Sequence, residues 1–481
     1  MLRHELSETL IQFHFVDPEI RAPWNWRDDV RKFNKQHVAE RDDRFFSEAS
    51  EDHRTRFQRD RDRVLYTSAF HRLAGITQVA SADEGHVFHN RLTHTLEVAQ
   101  VARRIAEKLN KELKSEVDAL GSLDPDVAET CALVHDLGHP PFGHVAEYEL
   151  NRLMSSKNTK YHDPDGFEGN AQSFRIVTTL ALRSYRYDGL NLTRATLNGT
   201  LKYPWLRDLS SQKTKNAKNA KFEKKRKKWG AYRSEIRQLE WARRLASPGD
   251  ESRSLEAQIM DWADDVTYAV HDVSDFFKAG LVPLDRLAME DGAERSNFYH
   301  GIFHDKNWIA ETEFNQLELE EAFDKLRQLF PIREHYSGTK EHRTGLRIFT
   351  AGLIGECVKG VQLDVPRKLL RIPPKTLKEI AMLKRLTWHY VILRPSLATK
   401  QIGQKKIICE LFQAFHEAAL EDKLEVFPTA YHQLIEQTTT GRERTRLVAD
   451  MIAGMTEQQA ISIHRKLTGV NLGSVLDPVT R

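Results

Sequence analysis

The densest chemistry in the chain lies in His135-Asp136-Leu137-Gly138-His139-Pro140-Pro141-Phe142-Gly143-His144, where three imidazoles and one carboxylate fall within ten residues. The apolar Cys131, Leu133 and Val134 precede the pair His135-Asp136, which therefore lies against a core. An aspartate there is costly unless a cation or hydrogen bonds compensate it. Upstream, His94 stands one helical turn before Val98, on the face shared with Val101 and Ile105, and so points inward. Downstream, Asp264, Tyr268 and Asp272 recur at i, i+4 and i+8 as one polar stripe on an apolar helix, flanked by Asp265 and Asp275. No Lys or Arg occurs from Asp261 to Phe277, so salt bridges within the helix do not account for these acids; a cation or a ligand's hydroxyls would. Two imidazoles and two carboxylates drawn from these groups would make a hard-to-borderline divalent site, suited to Mn²⁺, Mg²⁺, Fe²⁺, Co²⁺ or Ni²⁺ rather than to structural zinc. Such an ion keeps open positions for water and a phosphate oxygen and acts as a Lewis acid.

Helices must position these groups, because helical periodicity dominates and strand-like alternation is rare. The pattern predicts helices over about 52–74, 93–110, 126–138, 255–278, 314–330, 341–360, 375–394, 403–420 and 443–467, with a loop over 155–170. Gly138, Pro140, Pro141 and Gly143 place His139 and His144 in a single loop after the 126–138 helix. The first fifty residues are polar, with Trp24 and Trp26 as anchors of an arm. The fold class expected is all-α.

Composition removes several alternatives. At 481 residues the chain is about three times the ~150-residue prior, so one enlarged helical domain or two domains both fit. Hydrophobic residues make up 40% and charged residues 29%, as in an ordinary soluble protein. The formal charge of +3 requires no polyanionic partner. The longest near-apolar run, Phe349 to Val358, is about half the ~20 residues a membrane helix needs, so no membrane association is expected. The start MLRHELSETL lacks the apolar stretch of a signal peptide, and three scattered cysteines suit a reducing cytoplasm. One segment departs from the average: Lys213 to Lys228 holds nine Lys/Arg and one acid, Glu223. It reads as a solvated loop or charged helix end, or as a contact for polyphosphate or single-stranded nucleic acid. No glycine fingerprint for a dinucleotide, P-loop, HExxH or GxSxG string is present.

The arrangement His94, His135-Asp136, Asp264 resembles that of the HD-domain phosphohydrolases. The fuller strings FHRLAGITQV (70–79), NRLTHTLEVAQVARRIA (90–106), HDLGHPPFGHVAE (135–147), FEGNAQSFRIV (167–177), LKYPW (201–205) and ADDVTYAVHD (263–272) are similar to one branch of them. That branch is the bacterial deoxyguanosine triphosphate triphosphohydrolases and their dGTPase-like relatives, which also resemble the mammalian HD-domain deoxynucleotide triphosphohydrolase. A C-terminal match, VADMIAGMTEQQA (448–460), extends the likeness to nearly the whole chain. The resemblance implies an N-terminal arm over 1–53 and an HD core over 54–290 with a basic insertion at about 211–230. Over 291–481 it implies a helical extension that completes the nucleotide pocket and the oligomer contacts.

Residue by residue, the resemblance implies metal ligation by His94, His135, Asp136 and Asp264, with Mn²⁺ or Mg²⁺ as the first choice. Arg91 matches a contact to the α-phosphate; His139 and His144 match histidines facing the triphosphate; Glu147 matches an acid orienting His144. Tyr268 would lie under the sugar, excluding a 2′-hydroxyl, and Asp272 would take the 3′-hydroxyl. His71 and the 334–350 region, with Arg343 and Arg347, would serve the base. The chain departs from many relatives at Gly169, where they carry His, and at His71, where they often have Arg or Gln. The implied reaction is water attack on the α-phosphorus of a deoxynucleoside triphosphate, releasing deoxynucleoside and tripolyphosphate and so contributing to nucleotide-pool control. The implied assembly is a homo-oligomer, with a hexamer built from dimers as the family's pattern. Two other readings fit parts of the pattern. One is a different HD-type phosphodiesterase or nucleotidase, acting on a cyclic dinucleotide or alarmone. The other is a nucleic-acid-binding regulatory protein with a weakly active site that uses the basic run.

Overall fold

A computed structural model describes residues 40–48, 52–78, 89–157, 159–210, 224–247, 249–289 and 292–470. The chain forms two units, each assembled from separated segments. Among the described residues the larger spans 40–100, 124–260 and 398–470; the other spans 101–123 and 261–397. Among the described residues the elements are helical, with one exception. The strands Gln362–Asp364 and Leu369–Arg371 pair antiparallel, Gln362 opposite Arg371. The expected all-α class holds, and that short hairpin is its one departure.

Six helices matter for the site: α1 (Arg91–Glu112), α2 (Pro125–Val134), α3 (His144–Ser155), α4 (Gly169–Arg175), α5 (Leu255–Lys278) and α6 (Gly441–Ala453). Helix α2 starts where Asp124 accepts from the Asp126 amide and Pro125 supplies a preset φ. Its residues Val127, Ala128, Cys131, Ala132, Leu133 and Val134 are all buried. It stops at Val134, four residues short of the expected end, because tight turns take over: Leu137 N–H donates to Val134 O and His139 N–H to Asp136 O. Helix α4 begins at a Glu168 cap that accepts from Asn170 and Ala171 amides.

Other expected helices are also re-cut. The stretch 52–74 breaks into Arg56–Leu65 and Ser68–Arg72, since Thr67 caps the second piece by accepting from Phe70 N–H. The stretch 443–467 divides into α6 and Glu457–Leu467, each opened by its own capping box, Thr440 with Glu443 and Thr456 with Gln459. The helix expected at 403–420 starts earlier, at Pro395. His144 is the first residue of α3 rather than part of the preceding loop.

In the larger unit one apolar core joins distant parts of the chain. Phe142, Leu150, Met154 and Phe167 pack with Ile408, Leu411, Phe412, Val448, Ile452 and Met455. Each fully buried side chain of this size contributes about 1.5–3 kcal/mol. Of the arm, Trp24 and Trp26 lie outside the described residues. Arg41 is bonded to Glu256, and Arg44 to Asp60 at 2.7 Å. In the other unit Arg385 stacks on Trp308 and Trp388 and bonds Asp305 at 2.7 Å. Among the described residues no helix is long and apolar enough to cross a membrane.

Candidate active site

Arg91 and His94 lie on the first turn of α1, buried, and the His94 and His135 rings have centroids 5.7 Å apart. His135 Nδ1 lies 2.6 Å from Ala132 O, and a carbonyl can only accept, so Nδ1 carries the proton and Nε2 the lone pair. The imidazole is thereby set in the tautomer a metal requires. Beside it, Arg91 Nη1 donates to Asp136 Oδ2 at 2.6 Å and His139 Nδ1 lies 3.0 Å from Asp136 Oδ1. Burial opposes ionisation of Asp136, but the Arg91 guanidinium and the His135 and His139 rings hold its carboxyl well below the usual carboxylate range. His139 is pushed down to about 4, by burial first and by Arg91 next, so it is a neutral imidazole. Imidazole nitrogens beside an ionised carboxylate are the donor types that a hard-to-borderline divalent ion takes.

The loop is held by its neighbours. Ser173 of α4 donates to His135 O at 3.1 Å and accepts from Gly138 N–H at 2.9 Å. A Cβ on Gly138 would lie 2.1 Å from Gly169 O and 2.3 Å from Ser173 N, so only glycine allows this approach. Arg72 Nη2 donates to both Leu137 O and His139 O at 2.8 Å.

Next to the pair stands a second group. His144 is largely exposed, and its Nδ1 lies 2.9 Å from Glu147 Oε2. The Glu147 carboxyl would be raised by burial, yet Lys228 and His144 hold it well below the usual range. Glu147 is therefore an acceptor, His144 Nδ1 carries the proton, and Nε2 is the face left for chemistry. Lys228 Nζ sits 2.9 Å from Glu147 and 3.3 Å from Glu168. His139, His144 and Glu147 present ligand atoms within 4.8 Å of one another, a geometry that could itself hold a cation. A Cβ at Gly169 would make ordinary contacts of 3.6 Å with Glu147 Oε2 and the His139 ring.

Seven of the residues singled out from sequence, namely Arg91, His94, His135, Asp136, His139, His144 and Glu147, thus lie in the larger unit. Asp264, Tyr268 and Asp272 belong to the part of α5 in the other unit, with Asp272 buried and the other two half-buried. The acids flanking that stripe need no ligand. Lys384 donates to Asp265 at 2.6 Å from another helix, and Lys278, one residue past the base-free stretch 261–277, donates to Asp275 at 3.0 Å. His71 is exposed, as are Arg343 and Arg347. The basic segment is also corrected in part. Residues 211–223 lie outside the described ones, but Lys228 is anchored on two carboxylates and Lys225 on Glu251. Arg72, Ser173 and Lys228 carry no sequence signal of these contacts: the first two sit inside FHRL and FEGNAQSF, and Lys228 is one charge in a basic run.

The HD domain family matches residues 91–194, and the phosphohydrolase-associated domain matches residues 370–466. A "deoxyguanosinetriphosphate triphosphohydrolase-like protein" of Streptomyces coelicolor is 35% identical over 442 residues, covering 86% of this chain and 93% of the relative. The chain belongs to the HD-domain, dGTPase-like family. Similarly named proteins of Bifidobacterium longum (31% identical, 85% of this chain and 82% of the relative) and Shewanella loihica (31%, 89% and 95%) extend the comparison. In this chain the HD match spans α1 to α4, which carry both groups just described, and the associated-domain match includes α6. HD-domain membership makes the chain a phosphohydrolase by class.

Proposed function

We propose that the chain is a metal-dependent triphosphohydrolase that converts deoxynucleoside triphosphates, dGTP or several dNTPs, to deoxynucleoside and tripolyphosphate. The observation that carries this reading is the adjacency of two differently tuned groups. One is His135, its Nδ1 bonded to Ala132 O, beside ionised Asp136; the other is the His144–Glu147 pair, whose Nε2 faces away from Glu147. The relatives' shared name supplies the substrate class. In this reading His94, His135 and Asp136 hold a divalent ion, Mn²⁺ or Mg²⁺, with Asp264 as the fourth ligand. Such an ion, when bound, supplies Lewis-acid polarisation and acidifies water. Arg91 neutralises charge on the α-phosphate as well as on Asp136. Glu147 holds the His144 ring through Nδ1–H; in its doubly protonated form that ring gives the Nε2 proton to the departing 5′-oxygen as the P–O5′ bond breaks, and is left as the neutral Nδ1–H imidazole. His139, neutral and buried, holds Asp136 through Nδ1–H and faces the triphosphate with Nε2. Tyr268 and Asp272 read the sugar, His71 faces the base, and the working form is a cytoplasmic homo-oligomer.

The test is product analysis. Purified protein with Mn²⁺ or Mg²⁺ and each dNTP, singly and mixed, should yield deoxynucleoside and tripolyphosphate in equal amounts. Release of orthophosphate or pyrophosphate, or turnover of cyclic dinucleotides alone, would overturn the assignment.

A further inference from the structure

His144 follows a turn that the backbone does not adopt by itself. Phe142 stands at φ +70 and Gly143 at φ +59. Glycine takes such angles freely, but a bulky L-residue rarely does, and it stays there only where its surroundings over-determine it. Two features fix Phe142, and both come from the far end of the chain. Its ring packs into the core with Ile408, Phe412 and Met455. Its amide donates to Glu457 Oε1 at 3.3 Å. The same carboxylate accepts from Thr77 N–H at 2.9 Å and from Thr77 Oγ1 at 2.7 Å, so it is itself immobilised. Two residues earlier, Met455 O accepts from Arg72, whose other nitrogen serves Leu137 O and His139 O. The segment Met455–Glu457 is therefore tied to the HD loop on both sides of Pro140-Pro141.

We infer that Glu457 is a positioning residue for His144: it holds the left-handed turn at Phe142–Gly143 from which α3 departs, and so aims the His144 ring at Glu147. The inference rests on the proposed role of His144 as proton donor. With Glu457 removed, the strained turn loses the acceptor for its amide and relaxes toward ordinary backbone angles, swinging the first residue of α3. The effect belongs to the chemical step, because neither Asp136 nor His135 bonds Glu457 among the described contacts.

The experiment compares the full-length Mn²⁺-loaded protein with Glu457→Ala and Glu457→Gln, the second keeping an acceptor oxygen. Turnover of dGTP by Glu457→Ala should fall by about 10-fold or more in kcat, the scale expected when a reacting group is displaced by a fraction of an ångström or more. KM and Mn²⁺ affinity should stay within about 3-fold, which marks loss of an interaction used only in the transition state. Glu457→Gln should lie between the two, and it carries the test if the alanine variant does not fold. A second readout does not use activity: in protein with isotope-labelled histidine, the His144 ring signal should shift and broaden in Glu457→Ala while that of His416 stays. Unchanged kcat, or a loss matched by the folded fraction with the His144 signal unmoved, overturns the inference. Should wild type release no tripolyphosphate while the His144 signal still moves, the positioning stands and the proposed reaction fails instead.

Discussion

Asp136 keeps an ionised carboxylate almost out of contact with water because Arg91 and two imidazoles surround it. Its removal thus does two things at once. Asp136→Ala should abolish Mn²⁺ retention and turnover, and it should also lower stability, by about 3–5 kcal/mol, since it leaves the Arg91 guanidinium buried with its carboxylate gone. Calorimetric metal titration and urea unfolding check the two effects separately; a variant that still binds one equivalent of Mn²⁺ would remove Asp136 from the ligand set. The two glycines of the site should behave oppositely. Gly138→Ala forces a methyl to 2.1 Å from Gly169 O and should cost about 1–3 kcal/mol or more, with loss of turnover. Gly169→Ala meets its neighbours at 3.6 Å and should leave the melting temperature nearly unchanged. Sugar reading belongs at this scale too. Tyr268→Ala should lower the ratio of kcat/KM for dGTP over GTP; a constant ratio with reduced stability would make Tyr268 a packing residue. The imidazole–carboxylate cluster was legible because a His-Asp pair at an apolar helix end needs compensation. Lys228, Arg72 and Ser173 were not, because their roles are contacts with backbone or with acids far away in sequence, and no spacing encodes those.

Among elements, α4 and α6 form the decisive pair. Gln172 donates to Asp450 Oδ1 at 2.8 Å, and Arg175 donates to the same carboxylate through Nε and Nη2 and also to Glu235. Burial alone would lower the basicity of Arg175, but Asp450 and Glu235 raise it above its ordinary value. Asp450→Ala removes half of this compensation in a dry place. It should cost about 3–5 kcal/mol, and Asp450→Asn distinctly less, because the amide still offers an acceptor oxygen. Denaturant unfolding of the two variants decides; equal small losses would mean that the network adds no net stability. The helix over 255–278 was readable to the residue, Leu255–Lys278, because a continuous apolar stripe has one period. Breaks were not. The second capping box at Thr456-Glu457-Gln458-Gln459 lies inside a run whose apolar periodicity continues, so the run read as one helix. The hairpin at 362–371 is too short for alternation to register.

At the scale of the whole molecule, buried histidines set the response to acid. His139 and His416 are each pushed down to about 4 from an ordinary 6.5, both first by burial, then by Arg91 and Lys160 respectively. The unfolded chain takes up a proton at each below about 6.5, whereas the folded one does so only near 4. Stability is therefore full above the upper value and drains as pH falls through this window, the direction that folded-state carboxylates of lowered pKa, such as Asp163, reinforce. The melting temperature of metal-free protein should drop between pH 7 and pH 5; a flat or rising profile would show that these rings are not held neutral. The ties from Arg175 to Asp450 and from Phe142 to Glu457 also have a consequence in time. Arg175 and Asp450 are separated by 275 positions. A ribosome adding ~5–20 residues per second needs roughly 15–55 s to cover that interval. Throughout it the nascent HD loop exists without the acceptors that shape it, and the chain becomes competent only as its final helices emerge. A message truncated ahead of Asp450 would yield a polypeptide holding all the histidines and acids of the site in an arrangement that cannot use them.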